Sequence, residues 1–152
     1  MQKVDQVSVV SFSSIKTASQ ENHIDEVVKT LDVLRYSYEL GGSLRGMSGT
    51  LHSFDILCKG NGFRVTIDFL PSDEKDSEVA MIRSRVKFYD CSPDLGIIIS
   101  LCKISEELKQ LCSFYRFTII EASDAEEASQ KLAELLKNNL IESSELSLAA
   151  TN

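Results

Sequence analysis

The segment around Asn61 and Gly62 constrains the fold more than any other part of this 152-residue chain. Asn-Gly is the strongest two-residue signal for a tight β-hairpin, and β-rich runs flank it at 54–59 and 64–69. With Asn61 and Gly62 as the central pair, one face of the hairpin pairs Phe54 with Phe69, Ile56 with Ile67 and Cys58 with Val65. Every position on that face is apolar, which supports the register independently of the turn.

The opposite face of the same hairpin pairs Asp55 with Asp68. Side chains directly opposite on antiparallel strands have Cβ atoms about 4.5 to 5.5 Å apart, and like charges so placed are destabilising. A hard divalent cation such as Mg²⁺ is the usual compensator, and it can activate a water and neutralise charge on a phosphodiester. The alternative is that Asp68 is hydrated near its strand end and paired with Arg45 or Arg85.

Four apolar patterns indicate amphipathic helices, because their members recur with the spacing of one helix face. We expect Asn22 to cap the first helix, which ends near Tyr36. The expected inner positions of the next three are Val79, Ile82, Val86 and Tyr89; Leu108, Leu111, Cys112 and Tyr115; and Ala128, Leu132, Leu135 and Leu136. Ser105 is expected to cap the third helix, and Ser123 with Glu126 forms a capping box before the fourth.

Continuously apolar runs at 95–101 and 117–120 predict two short strands that are covered on both faces. With a helix between them they form a βαβ crossover, so they should be parallel. Residues 38–45 are a weaker strand candidate, which Gly41 and Gly42 interrupt. The expected fold class is therefore α/β, a mixed sheet made of an antiparallel hairpin and a parallel βαβ unit and flanked by helices.

Length and composition indicate one ordinary globular domain, with 43% hydrophobic and 26% charged residues. We expect an N-terminal arm or short strand at 1–20, a single domain at 21–140 and a frayed tail at 141–152. No apolar stretch approaches the ~20 residues that span a bilayer, so we expect a cytoplasmic protein with no membrane partner. The four cysteines form no C-x-x-C pair, and buried free thiols are the expectation for them.

The 16 Lys and Arg against 23 Asp and Glu give a formal net charge of −7, which argues against a highly basic, non-specific nucleic-acid binder. A local basic surface is still open, because Arg83, Arg85 and Lys87 place three positive charges on five residues of a predicted helix. Such a cluster can hold DNA through charge-assisted hydrogen bonds to the phosphates. A solvated helix face explains the same residues equally well.

The order of elements and motifs resembles the PD-(D/E)XK restriction-endonuclease-like superfamily, and within it the Mrr-like microbial branch. The stretch that carries this resemblance is Ser48-Gly-Thr-Leu-His-Ser-Phe-Asp55, between the first helix and the hairpin. Asp68 on the following strand, a helix with Lys87-Phe-Tyr-Asp90 and the βαβ unit complete it, over about residues 22 to 138. The resemblance implies a restriction-endonuclease-like sheet and a Mg²⁺-dependent nuclease that acts on DNA.

The resemblance also implies roles for single residues. Asp55 matches the metal-binding aspartate of the family, Asp68 the acid of its D/E-x-K motif, and Glu26 an accessory acid that some members add. Leu70 stands where the lysine of that motif is expected, and an apolar side chain cannot stabilise charge in the transition state. Lys59 or Lys87 can take over from a different backbone position.

His52 lies within the same motif and allows two interpretations, a contact with a phosphate or a satisfied, partly buried histidine. Two functions also stay open because of Leu70. The first is a domain that binds DNA or acts on it, with weak or degenerate metal-dependent phosphodiesterase activity. The second is a catalytically inactive module on the same fold that binds a protein partner or a second copy of itself.

Overall fold

The structure is a computed structural model that describes residues 18–60, 62–72, 74–113 and 116–149. The predicted turn residue Asn61, the predicted inner position Tyr115 and most of the predicted N-terminal arm lie outside these residues. In chain order the elements are α1 (Ala18–Val33), β1 (Ser37–Leu40), β2 (Ser43–Arg45), β3 (Leu51–Ser53), β4 (Ile56–Gly60), β5 (Phe63–Phe69), α2 (Glu74–Cys91), β6 (Leu95–Ser100), α3 (Glu106–Leu111), β7 (Phe117–Glu121) and α4 (Ala125–Ala149).

Five strands form one mixed sheet in the order β1, β4, β5, β6, β7, and β2 pairs with β3 in a separate antiparallel ribbon. The hairpin of β4 and β5 is antiparallel and pairs Ile56 with Ile67 and Cys58 with Val65, which confirms the predicted register for these residues. The ladder ends at Ile56 and Ile67, so the predicted pairs of Phe54 with Phe69 and of Asp55 with Asp68 lie beyond it. Gly62 takes the positive φ of 76° that a tight hairpin turn requires. Strands β5, β6 and β7 are parallel, which confirms the βαβ unit and the mixed α/β fold class.

Helices cover both faces of the sheet. On one face α1 and α4 pack against each other and against the apolar side of the hairpin, with Leu31, Ile67 and Leu132 fully buried. On the other face α2 and α3 enclose a smaller apolar cluster around Met81 and Ile98. Because successive strand residues point to opposite faces, Asp68 projects toward α2.

The orientation of α2 differs from the prediction. The residues expected on its inner side are exposed: Val79, Ile82, Val86 and Tyr89. The buried positions of the helix include Met81 and Ser84. Both sides of this helix carry apolar residues, so spacing alone could not decide between them. The side that carries Lys87 turns inward because the buried carboxylate of Asp68 needs a cation and hydrogen-bond donors.

Helix ends also depart from the sequence analysis. Helix α1 begins at Ala18, so Asn22 lies inside it and is not its N-cap. Ser105 does cap α3 by accepting the Leu108 N–H, but Leu111 on that helix is exposed. At α4 the capping groups are Asp124, which accepts the Glu127 N–H, and Glu127, which accepts from both the N–H and the hydroxyl of Ser123. The predicted partner was Glu126. Helix α4 extends to Ala149, beyond Leu140, where the sequence analysis places the end of the domain.

Candidate functional site

The structure brings the two aspartates together at the end of the hairpin. Asp68 lies in β5 and is only 8% exposed, whereas Asp55 occupies the bend immediately before β4. The Asp55 N–H donates to Asp68 Oδ1 over 3.0 Å, and the Phe69 N–H donates to Asp55 Oδ2 over 2.8 Å. Each carboxylate therefore binds the backbone of the opposite segment, which fixes both side chains where the regular ladder stops.

Lys87 of α2 supplies the cation at this site. Its ammonium Nζ lies 2.8 Å from Asp68 Oδ2, which also accepts the Ser84 hydroxyl over 3.0 Å. The same ammonium donates to the Ser53 carbonyl over 2.7 Å and lies 4.7 Å from the centre of the Phe54 ring. A charge-assisted bond, a carbonyl and an aromatic face thus hold one ammonium beside the buried acid.

The other cations considered in the sequence do not take this place. Arg45 donates to the Gly49 carbonyl, and Lys59 is exposed on β4. Leu70 is 8% exposed and packs in the apolar cluster with Met81, so the position at which the resemblance places a lysine is part of the core. The sequence analysis offered a pairing of Asp68 with Arg45 or Arg85 as the alternative to a metal. In the structure, Asp68 pairs with Lys87 instead.

A second polar cluster ties the motif Ser48-Gly-Thr-Leu-His52 to the end of α2. Asp90 accepts hydrogen bonds from the N–H and the hydroxyl of Ser48, at 2.8 and 2.6 Å, and its Oδ2 lies 2.8 Å from His52 Nε2. These bonds, those from Ser48 first, lower the pKa of the Asp90 carboxyl. A Cβ at Gly46 would lie 1.9 Å from an Asp90 oxygen, so a larger residue there would displace this carboxylate.

His52 therefore matches the second of its two interpretations, a partly buried histidine with a hydrogen-bond partner. Ser84 and Asp90 are the polar residues that the sequence analysis missed. For Ser84 a signal was present, since it lies one helical turn before Lys87 and so on the same side of α2. Asp90 stood in the quoted motif, but nothing in the sequence tied it to Ser48, 42 residues earlier.

The remaining predicted residues lie apart from the two aspartates. Glu26 on α1, which covers the opposite face of the sheet, pairs with Lys29 over 2.8 Å. Arg83 is exposed, and Arg85 is half-buried near the thiol of Cys112, whose pKa burial raises. Within the described residues, no group of three or more His, Cys, Asp or Glu side chains is arranged to hold a metal ion.

Other features of the described residues bear on the expectations from composition. All four cysteines are free, and Cys102 is exposed while the other three are buried. None of the helices described is long and apolar enough to cross a membrane. An open groove of about 460 Å³ runs along the edge strand β7, but it contains none of the predicted site residues, and its lysines, Lys109 and Lys131, are paired with glutamates.

Comparisons with known proteins support the fold alone. No family model and no curated protein matches the chain. A solved structure, the crystal structure of a protein of unknown function, AF1548, is similar with a TM-score of 0.51 at 15% identity. The match covers 66% of this chain and 56% of AF1548, so the chain spans little more than half the length of that protein.

Proposed function

We propose that this chain is a divalent-metal-dependent phosphodiesterase that acts on DNA, with Asp55 and Asp68 as metal ligands and Lys87 as the catalytic cation. The observation that carries the proposal is the 2.8 Å contact between Lys87 Nζ and Asp68 Oδ2. It provides, from a different backbone position, the ammonium that Leu70 does not provide. The proposal also rests on the resemblance to restriction-endonuclease-like proteins. The mixed sheet is compatible with that resemblance.

The carboxylates fit a magnesium site of the open kind. Mg²⁺ is usually held by one or two carboxylates and keeps several waters, so two aspartates are sufficient. Asp68 Oδ1 accepts one hydrogen bond, from the Asp55 N–H, and a carboxylate oxygen has about two acceptor directions. A bound Mg²⁺ supplies positive charge at the phosphate and acidifies a water.

Lys87 performs two tasks in this proposal. Its ammonium offsets the charge of Asp68 before substrate binds, which compensates the burial of a carboxylate that is 8% exposed. An ammonium has three N–H donors, and the contacts with Asp68 and Ser53 use two of them. The third donor serves a phosphate oxygen, where negative charge develops during phosphodiester cleavage.

One observation favours the competing function, that of an inactive interaction module. Lys87 already compensates Asp68, so the site is electrostatically satisfied without a metal. An apolar stripe on the outer side of α2 then carries the function instead. The two functions differ in whether Lys87 is required for chemistry.

Cleavage of a supercoiled plasmid with Mg²⁺ or Mn²⁺, compared with EDTA, tests the proposal. We expect metal-dependent nicking that Asp68→Asn abolishes and that Lys87→Met lowers by about 100- to 1,000-fold, since one preorganised charge-stabilising group is lost. Lys59→Met is the matched control, because it removes an exposed lysine from the neighbouring strand. Absence of cleavage by the wild type, or full activity of folded Lys87→Met, contradicts the proposal.

A further inference from the structure

Helix α2 carries an apolar stripe on the side that faces away from the sheet. This outer stripe consists of Val79, Ile82, Val86 and Tyr89, whose exposed fractions are 50%, 42%, 57% and 73%. With 3.6 residues per turn these four side chains fall on one side of the helix. Single exposed apolar residues are common on monomers, but a continuous stripe on one helix marks an interaction surface.

The charges of α2 are divided between its two halves. Residues 74–80 contain three acids and one lysine, whereas residues 81–91 contain three basic residues and one acid. Arg83 and Asp76 are both exposed, and being seven residues apart they lie on the same flank of the outer stripe. Lys87 and Asp90 are engaged with Asp68 and Ser48, so the complementarity of the helix to itself in the reverse direction rests on Asp76 and Arg83.

We propose that the outer stripe is the interface of a homodimer in which two copies of α2 pack antiparallel about a two-fold axis near Ala80 and Met81. Val79 of one copy then lies against Ile82 of the second copy, and Arg83 faces Asp76 across the interface. A two-fold interface uses the same patch on both subunits, so a single self-complementary helix defines it. Opposite charges along the flanks fix the direction of pairing, as they do in coiled coils.

This dimer does not depend on the proposed nuclease function. Lys87 and Ser84 contact Asp68 on the inner side of α2, so the interface leaves them in place. Arg83 gains a protein partner instead of the DNA backbone that the sequence suggested. An 18-residue helix is about 27 Å long, and a contact confined to it buries less than the roughly 1,600 Å² of a standard interface, so we expect a reversible dimer.

Sedimentation equilibrium of the full chain at increasing concentration tests the proposal. We expect the average mass to rise from that of the 16.9 kDa monomer toward twice this value. Ile82→Asp should keep the circular dichroism of the wild type and stay monomeric, because it places a charge at the centre of the stripe. Leu111→Asp is the matched control, since Leu111 is 52% exposed on α3, and it should leave the dimer unchanged.

A charge exchange tests the antiparallel arrangement itself. Arg83→Glu should raise the dimer dissociation constant by about tenfold, because both flanks then carry like charges. Adding Asp76→Arg to the same chain should restore dimerisation. A wild type that is monomeric at every concentration, a dimer that survives Ile82→Asp, or a double variant that stays as weak as Arg83→Glu overturns the proposal.

Discussion

The two faces of the central sheet are built on different principles. Under α1 and α4 the buried residues form a large apolar cluster, from Ile24 to Leu136, and Ser129 of α4 is the buried polar residue beside it. Under α2 and α3 the apolar cluster around Met81 is smaller, and beside it lies a polar centre made by Asp68 and Lys87. The first face follows the hydrophobic pattern of its helices, whereas the second exposes the most regular apolar stripe in its own helix.

This difference shows what a buried ionised group demands of the elements around it. An apolar face is satisfied by any helix of suitable shape, because hydrophobic burial has no direction. A carboxylate that is 8% exposed needs donors at fixed positions, and α2 provides them through Ser84 and Lys87. The orientation of α2 is therefore set by polar contacts, and its outer stripe is left for another partner.

The largest effect that we expect tests the claim that Leu70 belongs to the apolar part of the second face. Leu70→Lys introduces the lysine of the motif that the sequence resembles, but it buries an ammonium among Met81 and Ile98. We expect it to lower the free energy of unfolding by about 3 to 5 kcal/mol, measured by urea denaturation. Leu70→Met is the control and should cost less than about 1.5 kcal/mol; a fully stable, more active Leu70→Lys would show that the site still accepts the motif lysine.

A smaller effect tests the orientation of α2. Met81→Ala should lower the free energy of unfolding by roughly 2 to 5 kcal/mol, because it leaves a cavity at a fully buried position. Its neighbour Ile82, which is 42% exposed, should tolerate alanine at a cost below about 1 kcal/mol. Denaturation is measured at concentrations where the protein is monomeric, and the reverse order of the two costs would contradict the orientation.

The smallest effect concerns acid stability at the end of α2. Hydrogen bonds from Ser48 are the main cause of the lowered Asp90 pKa. A carboxyl group whose pKa is lowered on folding stabilises the fold when the pH is above the ordinary pKa of that group. This stabilisation is lost as the pH falls through the lowered pKa. Ser48→Ala should therefore raise the Asp90 pKa and move the midpoint of acid unfolding to a higher pH, which carboxyl ¹³C NMR and circular dichroism measure.

Ser123→Ala is the matched control for this experiment. Bonds from Ser123 hold the pKa of Glu127 at about 2, at the start of α4 on the first face. The control should raise the Glu127 pKa and leave that of Asp90 unchanged. An Asp90 pKa that does not move in Ser48→Ala would show that Ser48 does not control this carboxyl.

The comparison of the two faces also explains how much the sequence could predict. The hairpin register followed from the Asn-Gly turn and apolar pairing, which are local signals. The inner positions of α4, such as Leu132, followed from periodicity because only one side of that helix is apolar. Helix α2 is apolar on both sides, so the choice depended on the contact of Lys87 with Asp68, 19 residues away along the chain.

The sequence predicted which residue types form the site, but it predicted only some of the contacts between them. Asp55 and Asp68 were placed together by the register, and Lys87 was one of two lysines considered. No pattern in the sequence distinguished it from Lys59, because the choice depends on how α2 lies on the sheet. The cluster around Asp90 was missed for the same reason, since its partner Ser48 lies on a distant segment.

The most direct test of the central claim is a Mg²⁺ titration followed at the carboxyl carbons of Asp55 and Asp68 by ¹³C NMR. We expect both signals to shift together with a single binding curve and the Lys87 ammonium signal to respond in the same range. We also expect Asp68→Asn to remove the response at Asp55. Carboxyl signals of Glu26 and Glu121, which lie outside the site, serve as internal controls. Signals of Asp55 and Asp68 that stay fixed at millimolar Mg²⁺, or that move no more than those of the two glutamates, would contradict the central claim.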